Sequence, residues 1–191
     1  MDATRLCLLA DTHGYLDPRI AAVAATCDQV VHAGDIGADA VLAECAAAAA
    51  TVHGVGGNND RPERWRGDPA ACVALPRTLR LALPGGTLAV VHGDAWPARE
   101  RHRRLRAAFP EAAAVVYGHS HRLTVDDTAT PWVLNPGAAG RSRTFGGPSC
   151  LVLDADRTGW RLRVQRFTAA AGRAGRSVRA AHVTADEAPP G

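Results

Sequence analysis

Five times within the first 121 residues, a strand-length apolar run ends in Asp, Asn or His with glycine alongside: Asp11-Thr12-His13-Gly14, Gly34-Asp35-Ile36-Gly37, Gly57-Asn58-Asn59-Asp60, Val91-His92-Gly93-Asp94 and Gly118-His119-Ser120-His121. No other feature of the chain constrains its fold as much. Loops at the carboxyl ends of strands are where α/β folds gather ligands, and glycine lets backbone approach an ion or a phosphate closely. The five clusters are therefore expected to converge in space.

The segments between the clusters set the architecture. An apolar strand over residues 5–10 leads to a helix opened by Asp17-Pro18, then a strand at 29–33, a helix at 39–49 and a strand at 51–55. This is a βαβαβ rhythm. Beyond Leu75, residues 78–83 and 87–91 flank Pro84-Gly85-Gly86 as a hairpin, which a purely parallel sheet would not contain, so a mixed sheet is needed. A helix over 98–109 and strands near 113–117, 123–127, 132–134, 150–153 and 160–167 complete one domain, residues 1–167. The last strand alternates apolar and polar residues and reads as a sheet edge. Residues 168–191 carry little apolar periodicity and read as a flexible tail, and residues 61–76 and 138–148 read as loops walling a pocket.

Composition excludes several classes. With 47% hydrophobic and 21% charged residues, the chain has a globular balance. No apolar run approaches the ~20 residues of a membrane helix, and no leader-type segment opens the chain, so it is expected in the cytoplasm, away from membranes. Five widely spaced cysteines in no CxxC pair suit buried thiols better than disulfides or a zinc knuckle. All 22 basic residues are Arg, yet the net charge is only +3. The Arg-rich run at 99–106 is spread around a helix by its spacing and has no interleaved aromatic residue, so it reads as a solvated face rather than a nucleic-acid surface. Self-association into a homo-oligomer stays open.

The chemistry lies in the pooled side chains of the clusters, Asp11, His13, Asp35, Asn58, His92, His119 and His121. This mixed oxygen and nitrogen set without thiolate suits Mn, Fe, Co, Ni or Zn rather than calcium or an iron–sulfur cluster, with manganese the first expectation. Seven ligands exceed one tetrahedral site, and a central carboxylate can bridge ions about 3.5–4 Å apart, so two divalent metals are the natural count. His32, His53, His102 and His182 fall outside the clusters and read as structural or exposed. Asp60 either orients neighbouring groups or opens a turn, and Asp94 is equally ambiguous.

The order of the clusters resembles the calcineurin-like metallophosphoesterase superfamily, whose signature runs D-x-H, G-D, G-N-[HCN]-[DE], H and G-H-x-H, and within it the small bacterial and archaeal phosphodiesterase branch. The resemblance spans residues 6–135. It implies an α/β (α+β) four-layer fold, two mixed β-sheets packed as a sandwich and flanked by helices. It further implies that Asp11, His13 and His121 hold one metal, that Asn58, His92 and His119 hold the other, and that Asp35 bridges both. A metal-bridging hydroxide would attack phosphorus in line in a small-molecule or nucleotide phosphoester. Asn59 stands where larger phosphatases carry a leaving-group histidine, and an amide is no general acid at neutral pH. Asn135-Pro136-Gly137 matches a loop near the site, while the residues after it leave a substrate role for Arg141 open. Alternatives are a phosphomonoesterase and a non-catalytic scaffold like the retromer subunit that shares this fold.

Overall fold

A computed structural model describes residues 3–168 together with the strand His182–Thr184. The elements follow as β1 (Thr4–Leu9), α1 (Pro18–Ala24), β2 (Gln29–His32), α2 (Asp39–Ala48), β3 (Thr51–Gly54), α3 (Pro69–Val73), β4 (Thr78–Leu83), β5 (Gly86–Val91), α4 (Arg101–Ala108), β6 (Ala114–Val116), β7 (Thr124–Asp126), β8 (Trp132–Asn135), β9 (Ser149–Asp156), β10 (Gly159–Arg166) and β11 (His182–Thr184). The strands form two sheets, ordered β11-β10-β9-β1-β2-β3 and β4-β5-β6-β8-β7. Both are mixed, as expected. β1, β2 and β3 run parallel while β9 and β10 return antiparallel, and β5, β6 and β8 run parallel between antiparallel β4 and β7.

Side-chain alternation builds four layers. In β1, Leu6 and Leu8 face a central apolar cluster with Val31, Leu88, Val116 and Leu134, which joins the two sheets. Cys7 and Leu9 point the other way, to Ile20 of α1 and to Val41 and Cys45 of α2. On the far side, Ala89, Val115 and Val133 pack against Leu105 of α4 and Phe109. Because both faces of the central strands are covered, those strands read as continuous apolar runs rather than alternating ones. All five cysteines are free and buried. Among the described residues, no helix is long and apolar enough to cross a membrane.

The structure departs from expectation in three places. Asp68 caps the short helix α3 inside a stretch expected as loop, accepting from Ala70 N at 2.9 Å. β10, expected at an edge, is covered by β11, in the register Leu162 opposite Val183. The rest of the expected tail lies outside the described residues. The Arg run is not wholly solvated: Arg101 is buried and donates to Trp96 O at 3.2 and 3.0 Å, and Arg106 reaches Pro131 O at 3.0 Å and Asp126 Oδ1 at 2.7 Å. His102 bonds Asp126 and Tyr117, so this helix straps onto β7 and β8 rather than presenting a uniform cationic face.

Candidate metal centre

The strand-end clusters meet at one rim of the sandwich, tied together by backbone. Asp11 N donates to Gly34 O at 3.0 Å, His13 N to Asp35 O at 2.9 Å, and Gly14 N to Ile36 O at 2.6 Å, so the β1 loop lies on the β2 loop. Gly118 N donates to His92 O, joining the β6 loop to the end of β5. The β3 loop approaches from the other side. A Cβ on Gly57 would lie 2.2 Å from Asp35 Oδ1, a position only glycine can fill.

Within this rim, one ligand atom from each of Asp11, His13, Asp35 and His121 falls within 4.8 Å of the others. His13 Nε2 and His121 Nε2 are 3.1 Å apart, and His121 Nε2 is 3.4 Å from Asp11 Oδ1. Across Asp35, His92 Nε2 lies 3.4 Å from Asp35 Oδ2, the His92 and His119 rings meet edge to face at 5.3 Å, and His119 Nδ1 is 2.9 Å from Asn58 Oδ1. All seven expected residues are thus brought together, four in one cluster and His92, His119 and Asn58 in a chain of contacts leading from Asp35.

Two observations test whether this set fits a metal. Asp11 Oδ2 and His92 Nε2 are buried without a hydrogen-bond partner, which a protein interior rarely tolerates unless the atom has another task. In addition, His92 Nδ1 donates to Ala33 O at 2.8 Å and His121 Nδ1 to Ser142 O at 3.1 Å. Each ring is fixed in the tautomer that turns a lone pair on Nε2 toward the carboxylates, the arrangement typical of a metal-ligating histidine. The residues fit divalent metals.

The electrostatics are divided. Burial pushes the Asp11 carboxyl up to about 7. Burial acts on Asp35 in the same direction but is outweighed by His92 and by Asn59, which hold Asp35 well below the usual carboxylate range. Asn59 supplies two donors, its backbone N at 2.9 Å from Asp35 Oδ1 and its Nδ2 at 2.7 Å from Asp35 Oδ2. Burial lowers His13, His119 and His121, the last to about 4, with Arg143 adding to the effect on His121. His92 moves the other way, because Asp35 outweighs its burial.

Supporting residues were only partly foreseeable. Asp60 is a cross-loop clamp, accepting from Gly37 N and Gly57 N at 2.8 Å and from Ile36 N at 3.1 Å. Asn135 Nδ2 donates to Gly118 O and Ser120 Oγ at 2.8 and 3.0 Å, steadying the His119–His121 loop. His32 is buried beneath the site. Its Nδ1 accepts from Gly34 N, so Nε2–H is free to donate to Thr12 Oγ1 at 2.9 Å. Arg141 stacks on the Tyr15 ring at 3.5 Å, while Arg143, two residues on, brings Nη2 to 3.1 Å from His121 Nε2. Spacing alone could not separate these two arginines. Asp94 pairs with Arg77 and acts on His119 through its charge.

A two-sheet sandwich with mixed oxygen and nitrogen ligands at its parallel strand ends defines a metallophosphoesterase-type protein. The profile of the calcineurin-like phosphoesterase superfamily domain matches residues 4–158, and the chain belongs to that superfamily. No curated protein matches the sequence. Among solved structures, zinc-bound Vps29 from Entamoeba histolytica is 19% identical, with 94% of this chain and 98% of that chain covered at a TM-score of 0.72. A predicted phosphoesterase from Streptococcus pneumoniae is 17% identical over 87% and 91% of the two chains, with a TM-score of 0.61. A novel archaeal phosphodiesterase is 19% identical over 84% and 99%, with a TM-score of 0.63. At these identities the likenesses establish the fold.

Proposed function

We propose that this protein is a dinuclear-metal-dependent phosphodiesterase acting on a small-molecule or nucleotide phosphoester. The observation that carries the reading is the position of Asp35, whose Oδ2 lies 3.8 Å from His13 Nε2 and 3.4 Å from His92 Nε2. These contacts support a reading in which this carboxylate serves two ligand groups, Asp11, His13 and His121 for one ion and Asn58, His92 and His119 for the other. Divalent ions bound there, manganese foremost, would polarise an attacking water and neutralise charge on the phosphoryl oxygens. The protein's own residues prepare the site. His92 and Asn59 keep Asp35 ionised, the carbonyls of Ala33 and Ser142 orient His92 and His121, and Arg143, whose Nη2 lies on His121, would turn its other guanidinium N–H groups to a phosphoryl oxygen as negative charge builds. With an amide at position 59, the reading favours diesters and other esters whose leaving group departs without a strong acid.

The fold shared with Vps29, one of whose structures holds a cyclic peptide, supports a second reading, an interaction scaffold that hydrolyses nothing. The complete ligand set favours the enzyme. Elemental analysis and an assay panel of aryl phosphodiesters, phosphomonoesters and cyclic nucleotides on the manganese-loaded protein separate the two. The enzyme reading expects two manganese per chain and diester hydrolysis lost on chelation. A protein that retains no metal and is inert toward the whole panel overturns it.

A further inference from the structure

Beside the expected ligands lies a cavity of about 460 Å³ lined by His13, Gly37, Asn59, Asp60, Arg64, Arg66 and Arg143. Its volume falls among pockets that hold a small-molecule ligand, about 300–1,000 Å³. It shares His13 with the ligand group, so a molecule engaged at the metals has a direct path into it. Three of the lining residues are arginines. The one acid, Asp60, already spends both carboxylate oxygens on the backbone N–H groups of Ile36, Gly37 and Gly57.

The arginines sit on a built wall. The β2–α2 connection pins the loop carrying Arg64 and Arg66: Trp65 Nε1 donates to Asp39 Oδ1, Asp68 N donates to Asp39 Oδ2 at 2.6 Å, and Arg66 N donates to Gly37 O while Asp39 N donates to Arg66 O. Trp65 is buried as the plug beneath them. The Arg66 guanidinium crosses the β1 loop, where Nη2 donates to His13 O at 2.7 Å. This crossing requires Gly14, since a Cβ there would lie 1.5 Å from Arg66 Nη2, and the φ of +80° suits glycine. Arg64 has no side-chain bond among the described residues. Arg143 brings Nη2 to 3.1 Å from the ligand histidine His121, whereas the side chains of Arg64 and Arg66 touch none of the expected ligand side chains among the described residues.

We propose that this pocket is a subsite for a second phosphate on the substrate, held by Arg64 and Arg66, so that the preferred substrate is a phosphodiester carrying another phosphate on one of its alcohol parts. The inference rests on the phosphodiesterase reading for turnover but not for binding. Guanidinium forks match phosphate oxygens with paired N–H donors, and two forks on a fixed wall select for position as well as charge.

The test compares thymidine 5′-(4-nitrophenyl phosphate) with the same ester bearing a 3′-phosphate, in the manganese-loaded full chain. The extra phosphate is expected to raise kcat/KM about tenfold, mainly through KM, as one charge-assisted contact would. In Arg64→Ala and Arg66→Ala that ratio falls toward one. Calorimetry reads the pocket without turnover: thymidine 3′,5′-bisphosphate should bind about tenfold more tightly than thymidine 5′-monophosphate, and Arg64→Ala should erase the difference. If both esters are hydrolysed at equal kcat/KM and both nucleotides bind equally, the subsite is overturned and the enzyme reading survives. If neither ester is hydrolysed but the binding preference is present and lost in Arg64→Ala, the subsite stands and the phosphodiesterase reading falls. A 3′-carboxymethyl analogue that matches the 3′-phosphate in both measurements overturns the assignment to phosphate.

Discussion

Asp11 and Asn59 carry the chemistry that is most open to measurement. Buried Asp11 has its pKa pushed up to about 7, so near pH 6 it holds a proton that a metal ligand must release. His121, lowered to about 4, has no proton to give at that pH. His92, raised above its ordinary value by Asp35, also holds a proton there, so manganese affinity should climb as pH rises from 6 to 8, with about two protons released per chain at the lower pH and fewer at the higher. Calorimetry in buffers of different ionisation enthalpy measures the count, and an uptake enthalpy independent of buffer at pH 6 would contradict it. Asn59 makes a different prediction. With no acid at that position, log kcat/KM across a series of aryl phosphodiesters should fall steeply as leaving-group pKa rises. Asn59→His offers a donor worth about 10²–10⁴-fold on poor leaving groups when its geometry is right, but it also deletes the Nδ2 bond to Asp35. The variant should show a flatter slope together with looser metal retention. Equal, shallow slopes in both proteins would mean that another group donates the proton.

At the scale of elements, the site is a set of loops held in register by one another, and Asp60 is the clearest fastener. It satisfies three backbone N–H groups from two loops. Asp60→Ala leaves those donors to water or to nothing, at a cost of about 2–4 kcal/mol, and Asp60→Asn, which keeps one acceptor, should cost less. Urea unfolding of the metal-free proteins reads both, and a loss below about 0.5 kcal/mol for the alanine variant would show that the loops hold without it. Much of this scale was legible beforehand. The strands announce themselves because both faces of the central ones are buried, and the Asp17-Pro18 signal opens α1 where it should. The same signal at Asp68-Pro69 opens α3 inside a stretch read as loop, since five residues are too few to show a helical period. β11 has three residues and adds an edge that its sequence does not advertise. The arginine pocket was hidden for another reason. Arg64, Arg66 and Arg143 come from two loops, and the bonds that seat the first of them, from Trp65 and Asp68 to Asp39 and between Arg66 and Gly37, join residues far apart in the sequence.

For the molecule as a whole, the most telling feature is where the backbone is strained, which sequence could not foretell because the strained residues are not glycines. Among the described residues, six non-glycine residues adopt left-handed backbone, and five of them are expected ligands: Asp11 (φ 55°), His13 (49°), Asp35 (56°), His119 (66°) and His121 (57°). The sixth, Arg143, touches His121. Such a conformation costs a residue with a side chain about 1–2 kcal/mol. It persists because three apolar clusters fix the strands from which these loops spring. The fold thus gives up stability at the site in order to aim the ligands. His13, still 23% exposed, is the cleanest place to test this. In His13→Gly, relief of strain offsets both the extra chain entropy of glycine, about 0.5–1 kcal/mol, and the lost side-chain contacts. In chelator, the variant should therefore be as stable as the natural protein to within about 0.5 kcal/mol, where an ordinary half-buried substitution costs about 1 kcal/mol. Excess manganese should reverse the ranking, because a site filled at 100 times its Kd adds about 2.7 kcal/mol to the natural protein and less to a variant lacking a ligand. Paired urea melts with manganese and with chelator give all four values. A variant weaker by more than about 1 kcal/mol in chelator would show that the backbone at His13 is not strained, and equal gains from manganese in both proteins would show that His13 does not bind it.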